Sequence, residues 1–125
     1  MESKYEVVAN NFSSAISSKV CYDDGELHVF GCNSSGEHTL EIVFESVVFV
    51  RVGDEGGRLR LFSDMGSVRG GIVVCDHSDL LTWLVDESLG ARSHEGLRHY
   101  VLMMGEEIID VISGDPPVVR FLSCG

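Results

Sequence analysis

The spacing of apolar residues changes once along the chain, and this change constrains the fold more than any other feature. Over residues 15–75, apolar and polar side chains alternate in short runs separated by glycine-containing turns, which is typical of half-buried β-strands. Over residues 77–89, Leu80, Leu81 and Leu84 recur at helical spacing instead. The sequence therefore predicts an α+β fold, with a curled, mostly antiparallel sheet of about six to eight strands and one main helix at about residues 77–89.

Turn signals divide the apolar runs into individual strands. Asp24-Gly25 is a strong hairpin signal, and the segments at 33–38 and 105–107 predict two further turns. The segment GDEGG at 53–57 predicts another hairpin turn, with RLRLF after it as the returning strand. After the DPP break, VVRFL at 118–122 predicts an edge strand.

Local signals fix the ends of the helix but leave other segments open. Asp76 or Ser78 can cap its start, and Gly90 can end it. The apolar face of TLEIVFESVVFVRV switches sides near Ser46, which predicts a bend or bulge there. A helical stripe in the N-terminal segment is weakened by asparagines and serines, so the conformation of residues 3–10 stays open.

Chain length and the first residues predict a single cytoplasmic domain. A chain of 125 residues and 13.7 kDa builds one core, so residues 1–125 are expected to form one domain. The segment MESKYEVVAN has neither the basic start nor the apolar run of a secretion signal, and no stretch is long enough to span a bilayer. We therefore expect reduced cysteines in a cytoplasm.

The charge balance limits the classes of partner. Nine Lys and Arg residues against 20 Asp and Glu residues give a formal net charge of −11. Such a chain repels phosphate backbones and anionic lipid surfaces, so neither nucleic acid nor a membrane is expected as a partner. A basic protein partner would be attracted at long range. We expect a continuous acidic partner-binding face built from carboxylates at predicted turns: Asp23, Asp24, Asp54, Glu55, Glu106 and Glu107.

A second hypothesis places a small substrate or ligand at the functional site. Curling of the sheet into a barrel would gather Arg51, Glu55, Trp83 and His99 at one mouth. His99 and Asp110 fall on neighbouring predicted strands. They would form a general-base pair there, or His99 would be a structural residue satisfied by its neighbours.

Motifs for other chemistry are missing from the sequence. The histidines form no HxH, HxxxH or HExxH pattern and the four cysteines form no CxxC pair, so we expect neither a metal nor a cofactor. Ser88 and Cys75 are available nucleophiles, but neither lies in a recognisable nucleophile motif. The sequence favours a binding protein over an enzyme.

Three stretches carry a resemblance: LEIVFESVVFVRVGDEG, LTWLVDESLG and HYVLMMGEEIIDVISGDPPVV. Together they resemble a loosely defined set of small, uncharacterised bacterial proteins, which are similar to the immunity proteins of polymorphic toxins. The resemblance implies a non-enzymatic protein that occludes the active site of a basic toxin domain, and it supplies no catalytic residue. The residues in its recurring segments are Arg51, Asp54, Glu55, Trp83, Glu87, Ser88, His99 and Tyr100.

A third hypothesis is a homo-oligomeric structural module. In that case VVRFL of one copy would pair edge to edge with the same strand of another copy.

Overall fold

The computed structural model describes residues 5–10, 12, 15–58, 61, 71–93 and 95–122. Its elements follow in chain order, and a single 3-10 turn (Glu55–Gly57) comes directly after the fifth strand. The strands and the helix are β1 (Glu6–Ala9), β2 (Ser17–Asp23), β3 (Glu26–Cys32), β4 (His38–Phe44), β5 (Val47–Asp54), β6 (Gly71–Cys75), α1 (Asp79–Glu87), β7 (Arg98–Met104), β8 (Glu107–Ser113) and β9 (Val118–Phe121).

The strands form two antiparallel sheets, one of five strands in the order β1-β6-β7-β8-β5 and one of four in the order β2-β3-β4-β9. The predicted α+β class, with antiparallel strands and one main helix, is confirmed. The nine described strands are divided between two sheets with open edges, so the curled sheet expected to close into a ligand-binding barrel does not form.

The main core lies between the two sheets. Phe44 of β4 and Tyr100 of β7 meet edge to face with ring centroids 5.3 Å apart, and both side chains are buried. Strand alternation sends every second side chain into this layer. The inward residues of the central strands include Leu27, Val29, Leu40, Ile42, Ile72, Leu102, Ile109 and Val111.

The outer face of the five-stranded sheet is covered as well. Leu80 and Leu81 of α1 pack on Ile112, while Tyr5 and Leu61 belong to a second cluster over β6, β7 and β8. The central strands are therefore buried on both faces. Polar side chains that point outward from this sheet are enclosed beneath the helix, and they form the site described below.

The predicted bend near Ser46 is where the chain changes sheets. β4 ends at Phe44 in the four-stranded sheet, Glu45 and Ser46 form a bend, and β5 begins at Val47 in the five-stranded sheet. The apolar face switches sides because the core lies on opposite sides of the chain before and after this step.

The prediction of a hairpin turn at residues 53–57 is wrong. β5 runs on to Asp54 and pairs with β8, and it is the edge strand of its sheet. A 3-10 turn follows, and neither Arg58 nor Leu61, the described residues of RLRLF, pairs with β5. Of the segment RLRLF, the residues at positions 59, 60 and 62 lie outside the described part of the chain.

Most other local predictions are confirmed. The turns at Asp24-Gly25, 33–38 and 105–107 connect directly paired strands, and β9 is an edge strand. Ser78 caps the helix by accepting a hydrogen bond from the Leu81 amide at 3.1 Å. Residues 6–9, whose conformation the sequence left open, form a strand beside β6. In the described part of the chain, no helix has the length and apolar character needed to cross a bilayer.

Candidate functional site

A cavity of about 520 Å³ lies between the start of α1 and the outer face of the five-stranded sheet. Residues of β5 and of the 3-10 turn contribute to its lining, and its walls combine aromatic, aliphatic and charged side chains. The lining residues are Tyr5, Phe49, Arg51, Gly57, Arg58, Leu61, Ser78, Asp79, Leu80, Trp83 and His99.

A buried carboxylate lies beneath this cavity. Asp110 of β8 is 0% exposed and stands directly opposite Arg51 of β5 in the strand register. The Nε and Nη2 atoms of Arg51 each lie 3.2 Å from Asp110 Oδ2. Arg58 approaches the same carboxylate with both amino groups, with Nη2 at 3.1 Å from Oδ1 and Nη1 in contact with Oδ2. Such two-point pairing holds a guanidinium in one orientation.

His99 connects this carboxylate to the helix. Its Nε2 lies 2.7 Å from Asp110 Oδ1 and its Nδ1 lies 2.8 Å from Ser78 Oγ, and the residue is 2% exposed. An ionised carboxylate can only accept hydrogen bonds, so Nε2 donates to it. The Ser78 hydroxyl also caps α1, so one chain of hydrogen bonds joins the sheet to the first turn of the helix.

The environment of Asp110 keeps it ionised. Burial raises the pKa of this carboxyl, but the hydrogen bonds from His99 and Arg58, with their positive charge, outweigh burial and lower the pKa from 3.8 to about 2. The carboxylate is therefore a fixed negative charge under neutral conditions, and the arginines above it are anchored to it.

This shift predicts a dependence of stability on pH. A folded-state pKa below the ordinary value means that ionised Asp110 stabilises the fold above about pH 4, and that this contribution disappears as the pH falls through the folded pKa of about 2. We expect the stability gap between the wild type and Asp110→Asn to narrow by up to about 2 kcal/mol over that interval. Urea unfolding at several pH values measures the gap, with Asp23→Asn at the exposed end of β2 as the control. A gap independent of pH would contradict the prediction.

The hydrogen-bonded series Ser78–His99–Asp110 resembles a hydrolytic triad. Two features nevertheless favour binding over nucleophilic chemistry. The Ser78 oxygen already accepts the Leu81 amide as a helix cap. Asp110 is shared with two guanidinium groups, whereas the carboxylate of a triad serves mainly to orient the histidine and stabilise its charge. The network is built to hold Arg51 and Arg58 in place.

The structure brings together three of the four residues proposed for a ligand site. Arg51, Trp83 and His99 all line the cavity, while the side chain of Glu55 lies outside the described part of the chain. Trp83 is 45% exposed and meets Phe49 edge to face, with centroids 5.2 Å apart.

Other members of the site were not identified from the sequence. Ser78 was expected only as a helix cap, and Asp110 only as the partner of His99. Arg58 was assigned to a hairpin strand, although a carboxylate predicted in an apolar strand requires a cation nearby, and this signal could have suggested it. Tyr5 and Leu61 belong to segments whose structure gave no clear sequence signal.

The turn carboxylates do not form one continuous face. Asp23 ends β2 and Asp24 follows it in the β2–β3 turn, where the Gly25 carbonyl accepts a hydrogen bond from Val47 at the start of β5. Asp54 lies at the opposite end of β5, roughly 23 Å along the strand, and Glu107 is its register partner. The described acidic side chains proposed to bind a partner thus form two groups near opposite ends of β5.

The two candidate nucleophiles, Ser88 and Cys75, both form local hydrogen bonds. Ser88 Oγ donates to the Val85 carbonyl at 2.9 Å and accepts the Arg92 amide at 3.0 Å, at the end of α1. Cys75 is buried, with its thiol 2.9 Å from the His77 carbonyl. Among the described residues, no three His, Cys, Asp or Glu side chains come together as a metal site would require.

Comparisons with protein families, with curated proteins and with solved structures found no match to this chain.

Proposed function

We propose that the chain is a binding protein that takes up a small organic molecule in the cavity beneath α1. The observation that carries this proposal is the cavity of about 520 Å³ over the Arg51–Asp110–His99 network. Pockets that hold small molecules are commonly about 300–1,000 Å³, with apolar walls and a few convergent polar groups. This cavity has both properties.

The walls support a ligand with an apolar body. Trp83 and Phe49 form an edge-to-face pair on one side, and Tyr5, Leu61 and Leu80 supply further apolar surface. Nearly half of the surface of Trp83 is exposed. A bound ring would remove part of this apolar surface from water, and burial of that kind stabilises a complex.

A fluorescent apolar probe tests the proposal. Trp83 is the only tryptophan of the chain, so quenching of its emission reports occupancy of the cavity. We expect phenylnaphthylamine, a neutral aromatic amine, to bind with quenching of Trp83. Gly57→Phe should weaken this binding about tenfold or more, because Gly57 lines the cavity and a Cβ there meets no atom within 4 Å.

Gly53→Phe is the matched control. A Cβ at Gly53 also meets nothing within 4 Å, but Gly53 does not line the cavity. The affinity of Gly53→Phe for the probe should stay within about twofold of the wild-type affinity. The proposal fails if the probe does not quench Trp83, or if both variants bind it equally.

A basic protein partner is a second candidate function, and a separate observation supports it. Asp23, Asp24, Asp54 and Glu106 are exposed and form no ion pair with any cation in the described part of the chain. Their charge is available to attract such a partner. Because they form two separate groups, a compact toxin domain would contact one group at a time, and the cavity is the better-supported site.

A further inference from the structure

We infer that the ligand of this cavity is a small organic anion, with a flat apolar body beside Trp83 and a carboxylate, sulfonate or phosphate group on Arg51. This inference rests on the proposed function, because it names the class of molecule that the same cavity takes up.

Arg51 has donors left for a ligand. Its Nε and Nη2 atoms face Asp110, and Nη1 has no partner among the described residues. The side chain is 45% exposed and lines the cavity. Arg58 differs because both of its amino groups contact Asp110 and only 19% of its side chain is exposed. Arg51 is therefore the arginine that can receive an anionic group.

The charges around the cavity favour an anion. Two guanidinium groups line it, whereas the carboxylate that pairs with them is fully buried behind them and is not part of the lining. Asp79 also lines the cavity and carries the opposite charge. It is exposed to water and lies in the first turn of α1, where the positive end of the helix dipole offsets a negative side chain.

The Arg51 guanidinium is also held in place before a ligand binds. Asp110 fixes the Nε edge of Arg51, His99 and Arg58 fix Asp110 in turn, and Ser78 is hydrogen-bonded to His99. Less side-chain freedom is then lost on binding, which strengthens association. A guanidinium anchored on one edge with its other edge free is well suited to receiving an oxyanion.

Two probes with the same aromatic skeleton separate this inference from the proposed function. Anilinonaphthalene sulfonate carries a sulfonate that phenylnaphthylamine lacks. We expect the sulfonate probe to bind the wild type about tenfold more tightly than the neutral probe, since a hydrogen bond to a charged group adds about that much. Both titrations use the intact chain, with probe emission and Trp83 quenching as readouts.

Arg51→Gln should abolish the preference for the sulfonate, so that the two probes bind this variant with affinities within about twofold of each other. Arg51→Lys keeps the charge and should retain part of the preference, which guards against a variant that is merely misfolded. Arg92→Gln is the matched control, because Arg92 is exposed and does not line the cavity.

Each outcome is decisive. If the neutral probe binds the wild type and the sulfonate probe binds no more tightly, the inference is overturned and the proposed function stands. If the preference survives in Arg51→Gln, the anion lies elsewhere and the inference is again overturned. If the neutral probe does not quench Trp83, the proposed function fails and the inference fails with it.

Discussion

Replacing Asp110 by alanine will lower the free energy of unfolding by about 3–5 kcal/mol, as expected when one partner of a buried ion pair is removed. Asp110 is fully buried and receives hydrogen bonds from Arg51, Arg58 and His99. Its removal leaves the buried His99 and the largely buried Arg58 without this acceptor. Urea unfolding followed by Trp83 fluorescence measures the loss.

The matched control is Asp23→Ala. Asp23 is an exposed carboxylate at the end of β2 and forms no ion pair with a described cation. We expect its substitution to change stability by no more than about 0.5 kcal/mol. Equal losses in the two variants would show that the network contributes little to the fold, and that Arg51 is not anchored as the geometry indicates.

Gly105→Ala is expected to destabilise the protein by about 3 kcal/mol or more. Gly105 lies in the β7–β8 turn with φ +60°, in the left-handed region. An added Cβ would lie 2.1 Å from the Ile16 carbonyl oxygen and 2.8 Å from its carbon. Both atoms belong to the backbone, so the turn and the segment before β2 would have to move apart.

Gly36→Ala separates backbone conformation from steric clash. Gly36 has φ +80° in the β3–β4 turn, and a Cβ there meets nothing within 4 Å. We expect Gly36→Ala to lower the free energy of unfolding by only about 1–2 kcal/mol, the cost of placing an L-residue in the left-handed region. The excess loss in Gly105→Ala, measured by urea unfolding, is the cost of the clash. If the two losses are equal, the close approach of Ile16 has little effect on stability.

The strands were largely predictable because their signals are local. Asp24-Gly25 and the turn at 105–107 each connect strands that pair with their sequence neighbours, so a turn motif between alternating runs was sufficient. The pairing of β5 with β8 was not predictable in this way, because about fifty residues separate the two strands. The mistaken hairpin at 53–57 came from applying the local rule to a strand whose partner is distant.

The site was predictable only in part for the same reason. Alternation placed His99 and Asp110 on neighbouring strands, and the hydrogen bond between them is present at 2.7 Å. Their meeting with Arg51 depends on the β5–β8 register. The approach of Arg58 depends on the 3-10 turn after Asp54, which the sequence did not indicate. The burial of these charged and polar residues depends on the helix that packs above them.

The double use of the Ser78 hydroxyl narrows which residues this position tolerates. At an ordinary helix cap, Ser, Thr, Asn and Asp are nearly interchangeable. Here the same oxygen must also meet the imidazole of His99 in a nearly closed space. Aspartate would add a second enclosed negative charge near Asp110, and asparagine would add a bulkier amide. We therefore expect position 78 to accept only serine or threonine.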